Sequence, residues 1–201
     1  MRFRNSSTDY GLVSKSLHWL IAVIMIALIG VGWYMVRLSD EDVWYWRLLD
    51  LHEAVGLSLF ILFPLKLGWM VLSPNPEYVP TLAVWERRVA AVVRWLFMLA
   101  ILVIPLSGFF YVASNGEAVS LYDLITIPDI GGLTKETRDW LSDTHYYASY
   151  GCAALILVHL LAALKHHFID LNNSLRRITF IAVITAASRP SKHRSIGRVR
   201  G

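Results

Sequence analysis

The chain has 201 residues, 56% of them hydrophobic, and a formal net charge of +4. A soluble domain of this length is about half apolar; here the excess, with a mean hydropathy of +0.49, is gathered in long runs, which argues for one compact membrane bundle rather than several soluble domains. The basic residues lie at the ends of those runs and in the last residues, where membrane topology explains them without nucleic acid, and the single cysteine, Cys152, excludes a disulfide framework or a cysteine metal motif.

Residues 1–15 are polar and basic, and an apolar run covers 16–36. It is too long for a secretory signal and ends in Trp33, Tyr34 and Arg37 instead of small residues, so it reads as a retained transmembrane helix. His18 sits in its first turn. An acidic loop over 37–51 follows, with Trp44, Tyr45 and Trp46 as an interfacial anchor. The second run, 52–72, opens at His52. Gly56 shares its helix face and leaves room for a flat group to approach. Pro64 is expected to kink this helix, and Pro74, Pro76 and Pro80 oppose helix in the loop beyond.

The third run spans about 89–113 and contains Pro105, Ser107 and Gly108 but no histidine; Arg94 lies at its start. The longest loop, 114–142, is expected to hold a short helix capped at Thr134. The fourth run, 143–168, carries His145, His159, His166 and His167. Beyond it, Ile178–Ala187 is too short to span and the basic end reads as disordered, with His193 in water. The expected organisation is a membrane domain over 1–176 and a short apolar segment with a basic tail over 177–201.

With four spans, most Lys and Arg residues, including Arg2, Arg4, Lys15, Arg87, Arg88, Lys165, Arg176 and Arg177, fall on one side. The positive-inside rule then places both termini in the cytoplasm. His145 and His159 are fourteen residues apart, about 40° short of four full turns, so they leave nearly the same helix face. They are separated by roughly 21 Å along the axis, most of a hydrocarbon core of about 30 Å. Alternating helix directions then pair His52 with His145 near the outer face and His18 with His159 near the inner face.

Two imidazoles facing each other suit the axial positions of haem iron better than zinc, which wants three or four ligands. Gly56, Gly108 and Gly151 would make room for the macrocycle. The chain has no C-x-x-C-H motif, so covalent attachment is excluded and two noncovalent b haems are expected in an all-α transmembrane four-helix bundle. Bis-histidine ligation closes the iron to further ligands and favours electron transfer. Histidines at two matched membrane depths are hard to explain as helix–helix hydrogen bonds alone. His166 and His167 differ, because a histidine at a helix C-terminus also has a structural role there. A histidine-lined metal or proton transporter is the non-redox reading, and the lack of carboxylates in mid-helix counts against it.

The segments LVSKSLHWL, LHEAVGLSLFILFPLKLGWMVLSPNP, IPLSGFFYVASNGEAVSLYDL, DTHYYASYG and LVHLLAALKHHFIDLNNSLRRI together resemble the bacterial cytochrome b561 family over roughly residues 1–178. The resemblance implies a four-helix inner-membrane cytochrome with two b haems, held at the positions matching His18, His52, His145 and His159. It implies an oxidoreductase linked to ubiquinone, with a quinone or proton site near Lys15 and His166, and superoxide as a donor in one branch. The alternative is a relay subunit that serves a partner dehydrogenase or a periplasmic redox protein without a substrate site of its own. Many relatives have a histidine early in the third helix where this chain has Arg94, whose fork suits a haem propionate. The acidic outer loops would steer superoxide, an anion, poorly.

Overall fold

The computed structural model describes residues 2–180, apart from 117 and 123. Four long helices dominate: α1 (Leu12–Met35), α2 (Val43–Leu72), α3 (Val84–Ala113) and α4 (Lys135–Phe168). A small antiparallel hairpin, β1 (Val119–Leu121) and β2 (Ile125–Ile127), lies between α3 and α4. A short helix, α5 (Ser174–Ile178), follows α4.

All four long helices are long and apolar enough to cross a membrane. Their large apolar side chains point outward: Val71 is 76% exposed, Val23 61% and Leu161 55%. That arrangement is stable against lipid and costly against water. The helices alternate in direction, with α3 along α4 and α2 against both α1 and α3. The side where α1 begins and α4 ends is called here the terminal face, and the other the opposite face.

The helices are longer than their apolar runs. Asp42 caps α2, its carboxylate accepting from the Trp44 amide at 2.8 Å. Trp44, Tyr45 and Trp46 therefore belong to a helix instead of a loop. Thr134 caps α4, its hydroxyl accepting from the Thr137 amide. The short helix expected there is continuous with the fourth run, giving one helix of 34 residues. Once a cap satisfies the first amides, propagation into the polar turns outside the bilayer is cheap. Pro64 and Pro105 lie inside helices that remain continuous. The hairpin was not legible in the sequence. It packs β1 on α2, where the Tyr122 and Ser58 hydroxyls hydrogen-bond at 2.9 Å, and buries Val119.

The core is narrow and central. Ile21 and Met25 of α1, Leu59 of α2, Ile101 of α3 and Cys152 of α4 form one buried cluster. Cys152 is seven residues from both His145 and His159, so this apolar plug separates the two histidine levels. At the terminal face, the Asn5 amide and side chain bond Ser73, and Trp69 Nε1 donates to Ser14 Oγ at 2.8 Å. There α5 returns to α1, since Trp19 Nε1 donates to Ile178 O and Lys15 Nζ to Thr179 O. Of the short apolar segment Ile178–Ala187, only Ile178, Thr179 and Phe180 are described; residues 181–187 and the basic tail lie outside the described residues.

Candidate functional site

On the opposite side of the plug, His52 of α2 and His145 of α4 face each other with ring centroids 6.0 Å apart and planes inclined at 68°. Both line a cavity of about 340 Å³, which α1 and α3 also border through Gly32, Ile104, Gly108 and Phe109. That size lies within the range of about 300–1,000 Å³ usual for small-molecule and cofactor sites. The lining is largely apolar, with Glu53, Ser142, Ser149, Tyr146 and Tyr150 among its polar members.

The two imidazoles are held differently. His145 Nδ1 lies 2.8 Å from Ile104 O. A carbonyl only accepts, so Nδ1 carries the proton and Nε2 keeps its lone pair. Gly108 permits this, since a Cβ there would stand 2.7 Å from His145 Nδ1 and 2.9 Å from Cε1. His52 is half-buried, and its Nδ1 is enclosed with no hydrogen-bond partner. Gly32 lies behind it, with a Cβ position 3.5 Å from His52 Cε1. A buried ring nitrogen without a partner is costly unless something else engages the imidazole. The residues present therefore fit a planar group held between the two imidazoles.

The glycines divide. Gly56 lines the cavity with nothing within 4 Å of its Cβ position, as expected of a residue that leaves space. Gly108 instead makes room for a ligand ring, while Gly151 is exposed and outside the lining.

Toward the terminal face, His18 is half-buried and edge-on to Trp19, and His159 is within its electrostatic reach. His159 is exposed, its ring edge-on to Phe97 of α3 at 5.4 Å. Lys66 is also within electrostatic reach of His18. Sequence reading passed over it, although a lysine inside a membrane-length run is itself a signal. Arg94 donates to Tyr78 Oη at 3.1 Å and stacks over its ring.

Lys15 and His166 have separate partners. Lys15 is buried, with its ammonium on Thr179 O. His166 Nδ1 bonds Asp170 Oδ2 at 2.6 Å. Lys165 pairs at 2.9 Å with both Asp170 and Glu86, clamping the end of α4 to the start of α3. The hydrogen bonds from Lys165, and then His166, hold the Asp170 carboxyl below its usual range. Glu86, His166 and Asp170 offer ligand atoms within 4.8 Å of one another, but the Lys165 ammonium already bridges the two carboxylates. His167 packs edge-on to Phe168, with its Nδ1 buried and unbonded.

Four helices long and apolar enough to cross a membrane, with imidazoles of α2 and α4 on a shared internal cavity, define a multi-pass membrane bundle with room for a cofactor at its histidines. The family model for prokaryotic cytochrome b561 matches residues 9–180, and the chain belongs to that family. Membership implies haem b binding and membrane electron transfer. The chain is 29% identical to cytochrome b561 homolog 2 of Escherichia coli K12 over 178 residues, covering 89% of this chain and 95% of that protein. It is 23% identical to the probable superoxide oxidase CybB of Yersinia pestis over 172 residues, 84% of this chain and 94% of that one. It is 24% identical to cytochrome b561 homolog 1 of Escherichia coli K12, covering 81% and 92%.

Proposed function

We propose that this chain is a di-haem b cytochrome that moves electrons across a bacterial inner membrane and exchanges them with ubiquinone. The observation that carries the reading is the His52–His145 pair: two imidazoles from different helices, 6.0 Å apart on one cavity, one oriented by a carbonyl and the other unpartnered at Nδ1. His52 and His145 would be the axial ligands of the outer haem, and His18 and His159 those of the inner one. Bound haem supplies a one-electron couple at each level. The chain's own residues do the rest. Ile104 O fixes the tautomer of His145 and raises its basicity as a ligand. Gly32 and Gly108 admit the two imidazole rings, Gly56 leaves space in the cavity, and the central apolar cluster keeps water from the path between levels.

In this reading residues 1–176 are the cytochrome unit, residues 177–201 are an appendage, and the terminal face is cytoplasmic. The quinone head group would arrive at that face, near Lys15 and His166. His166 is held through Nδ1 by Asp170, which leaves Nε2 to hold or pass a proton to a quinone oxygen. Lys15 would have to exchange its bond to Thr179 O for one to the ligand.

Superoxide as donor rests on the similarity to the Yersinia protein. The local charge does not favour it: Arg47 stacks over Trp44, Lys135 pairs with Asp139, and Arg138 bonds Leu133 O. Each cation is engaged by its own neighbour, and the one paired with a carboxylate, Lys135, is neutralised locally, which weakens any shared attraction for an anion.

Pyridine-haemochrome analysis of the purified full chain tests the reading. It should give about two b haems per chain, falling to about one in His52→Ala or His145→Ala. Absence of a Soret band in the wild type would refute it. Stopped-flow mixing with a ubiquinone analogue and a panel of donors that includes superoxide separates the oxidoreductase from a relay subunit, which would show no quinone turnover of its own.

A further inference from the structure

Lys66 of α2 and Arg94 of α3 are two cations inside helices long and apolar enough to cross a membrane, and each lies near the depth of one inner histidine. The Trp69–Ser14 hydrogen bond fixes α2 against antiparallel α1. Counting inward from that bond, His18 is four residues deeper and Lys66 three, about 6 and 4.5 Å at 1.5 Å per residue. On the neighbouring pair, Glu86 bonds Lys165. Arg94 lies eight residues inward on α3 and His159 six residues inward on α4, about 12 and 9 Å. Lys66 is within electrostatic reach of both His18 and Arg94. Both cations are half-buried.

Among the described residues neither has a carboxylate partner. The recorded ion pairs belong to other side chains, and Arg94 has only the hydroxyl and ring of Tyr78. Like charges that face each other away from water repel, and each also carries a desolvation cost. Such a pair calls for anionic oxygen, ideally two carboxylates. A b haem carries two propionates, and, each along its own helix pair, His18 lies about 1.5 Å from Lys66 in depth and His159 about 3 Å from Arg94.

We propose that Lys66 and Arg94 form a two-cation cradle for the carboxylates of the inner haem, with Lys66 supplying the hold from α2 and Arg94 that from α3. The inference rests on the haem reading above. The same anionic-oxygen chemistry is available from a lipid phosphate at the terminal face, and the test separates the two sources.

The experiment uses the full chain with His145→Ala, so that the inner haem is observed alone, and compares Lys66, Lys66→Gln and Lys66→Arg by spectroelectrochemical titration. Removing a positive charge beside the iron disfavours the reduced state. Lys66→Gln should make reduction about tenfold less favourable, a fall of about 59 mV for a one-electron couple, with haem content kept. Lys66→Arg should stay close to the parent. Equal shifts in both variants would mean altered packing and would overturn the cradle. An unchanged potential in Lys66→Gln would also overturn it. If phospholipid phosphorus co-purifying with the protein falls at the same time, the cations serve a headgroup instead. A wild-type chain without haem would refute the underlying reading, not this assignment.

Discussion

Gly108 shows how much one missing methyl group decides. With a Cβ 2.7 Å from His145 Nδ1, the ring would have to leave Ile104 O. Gly108→Ala should therefore lower haem content at the outer level by at least about tenfold in retention, since orienting contacts behind a metal-bound histidine are commonly worth 10–100-fold; haem-to-protein ratio after dialysis against apomyoglobin measures it. The histidines were legible in the sequence because their types and fourteen-residue spacing stand out against an apolar background. Their partners were not. Ile104 acts through its carbonyl, which no side-chain pattern encodes. Lys66 was legible and missed, and Asp170 is visible only once α4 is known to end beside it.

At the scale of elements, the four apolar runs specify four helices through length and composition. Their ends do not follow from hydropathy, because Asp42 and Thr134 continue α2 and α4 into polar sequence. The hairpin buries Val119 and meets α2 through the Tyr122–Ser58 hydroxyl pair, contacts too scattered along the chain for a sequence pattern to reveal. Helix α4 alone bears a histidine of each level, so its regularity fixes their relation. Inserting one alanine after Gly151 would rotate His159 by about 100° relative to His145. The inserted chain should retain one haem and lose the other, read as a halved pyridine-haemochrome value, while circular dichroism stays helical.

At the scale of the molecule, the terminal face is tied together by charge and the middle by apolar packing. The Lys165–Glu86–Asp170 clamp joins α3 to α4 in an exposed setting. Asp170 is held in its ionised form by Lys165 and His166. A carboxylate with a depressed pKa contributes stability above its unfolded value, near 3.9, and loses it as pH falls through the folded value. The thermal midpoint of Asp170→Asn should thus lie below wild type at pH 7, and the gap should close as pH falls below about 4. A gap that persists undiminished in acid would show that the side chain acts through packing.

The return of α5 to α1 has a consequence for how the protein is made. Lys15 and Trp19 are synthesised 164 and 159 residues before their hydrogen-bond acceptors, Thr179 O and Ile178 O. Until synthesis has passed all four spans, a buried ammonium and an indole N–H at the head of α1 lack these acceptors. The terminal face closes only once α5 has been made, so a nascent product, or one cut before Ile178, presents an unsealed first helix to the membrane's folding and degradation machinery.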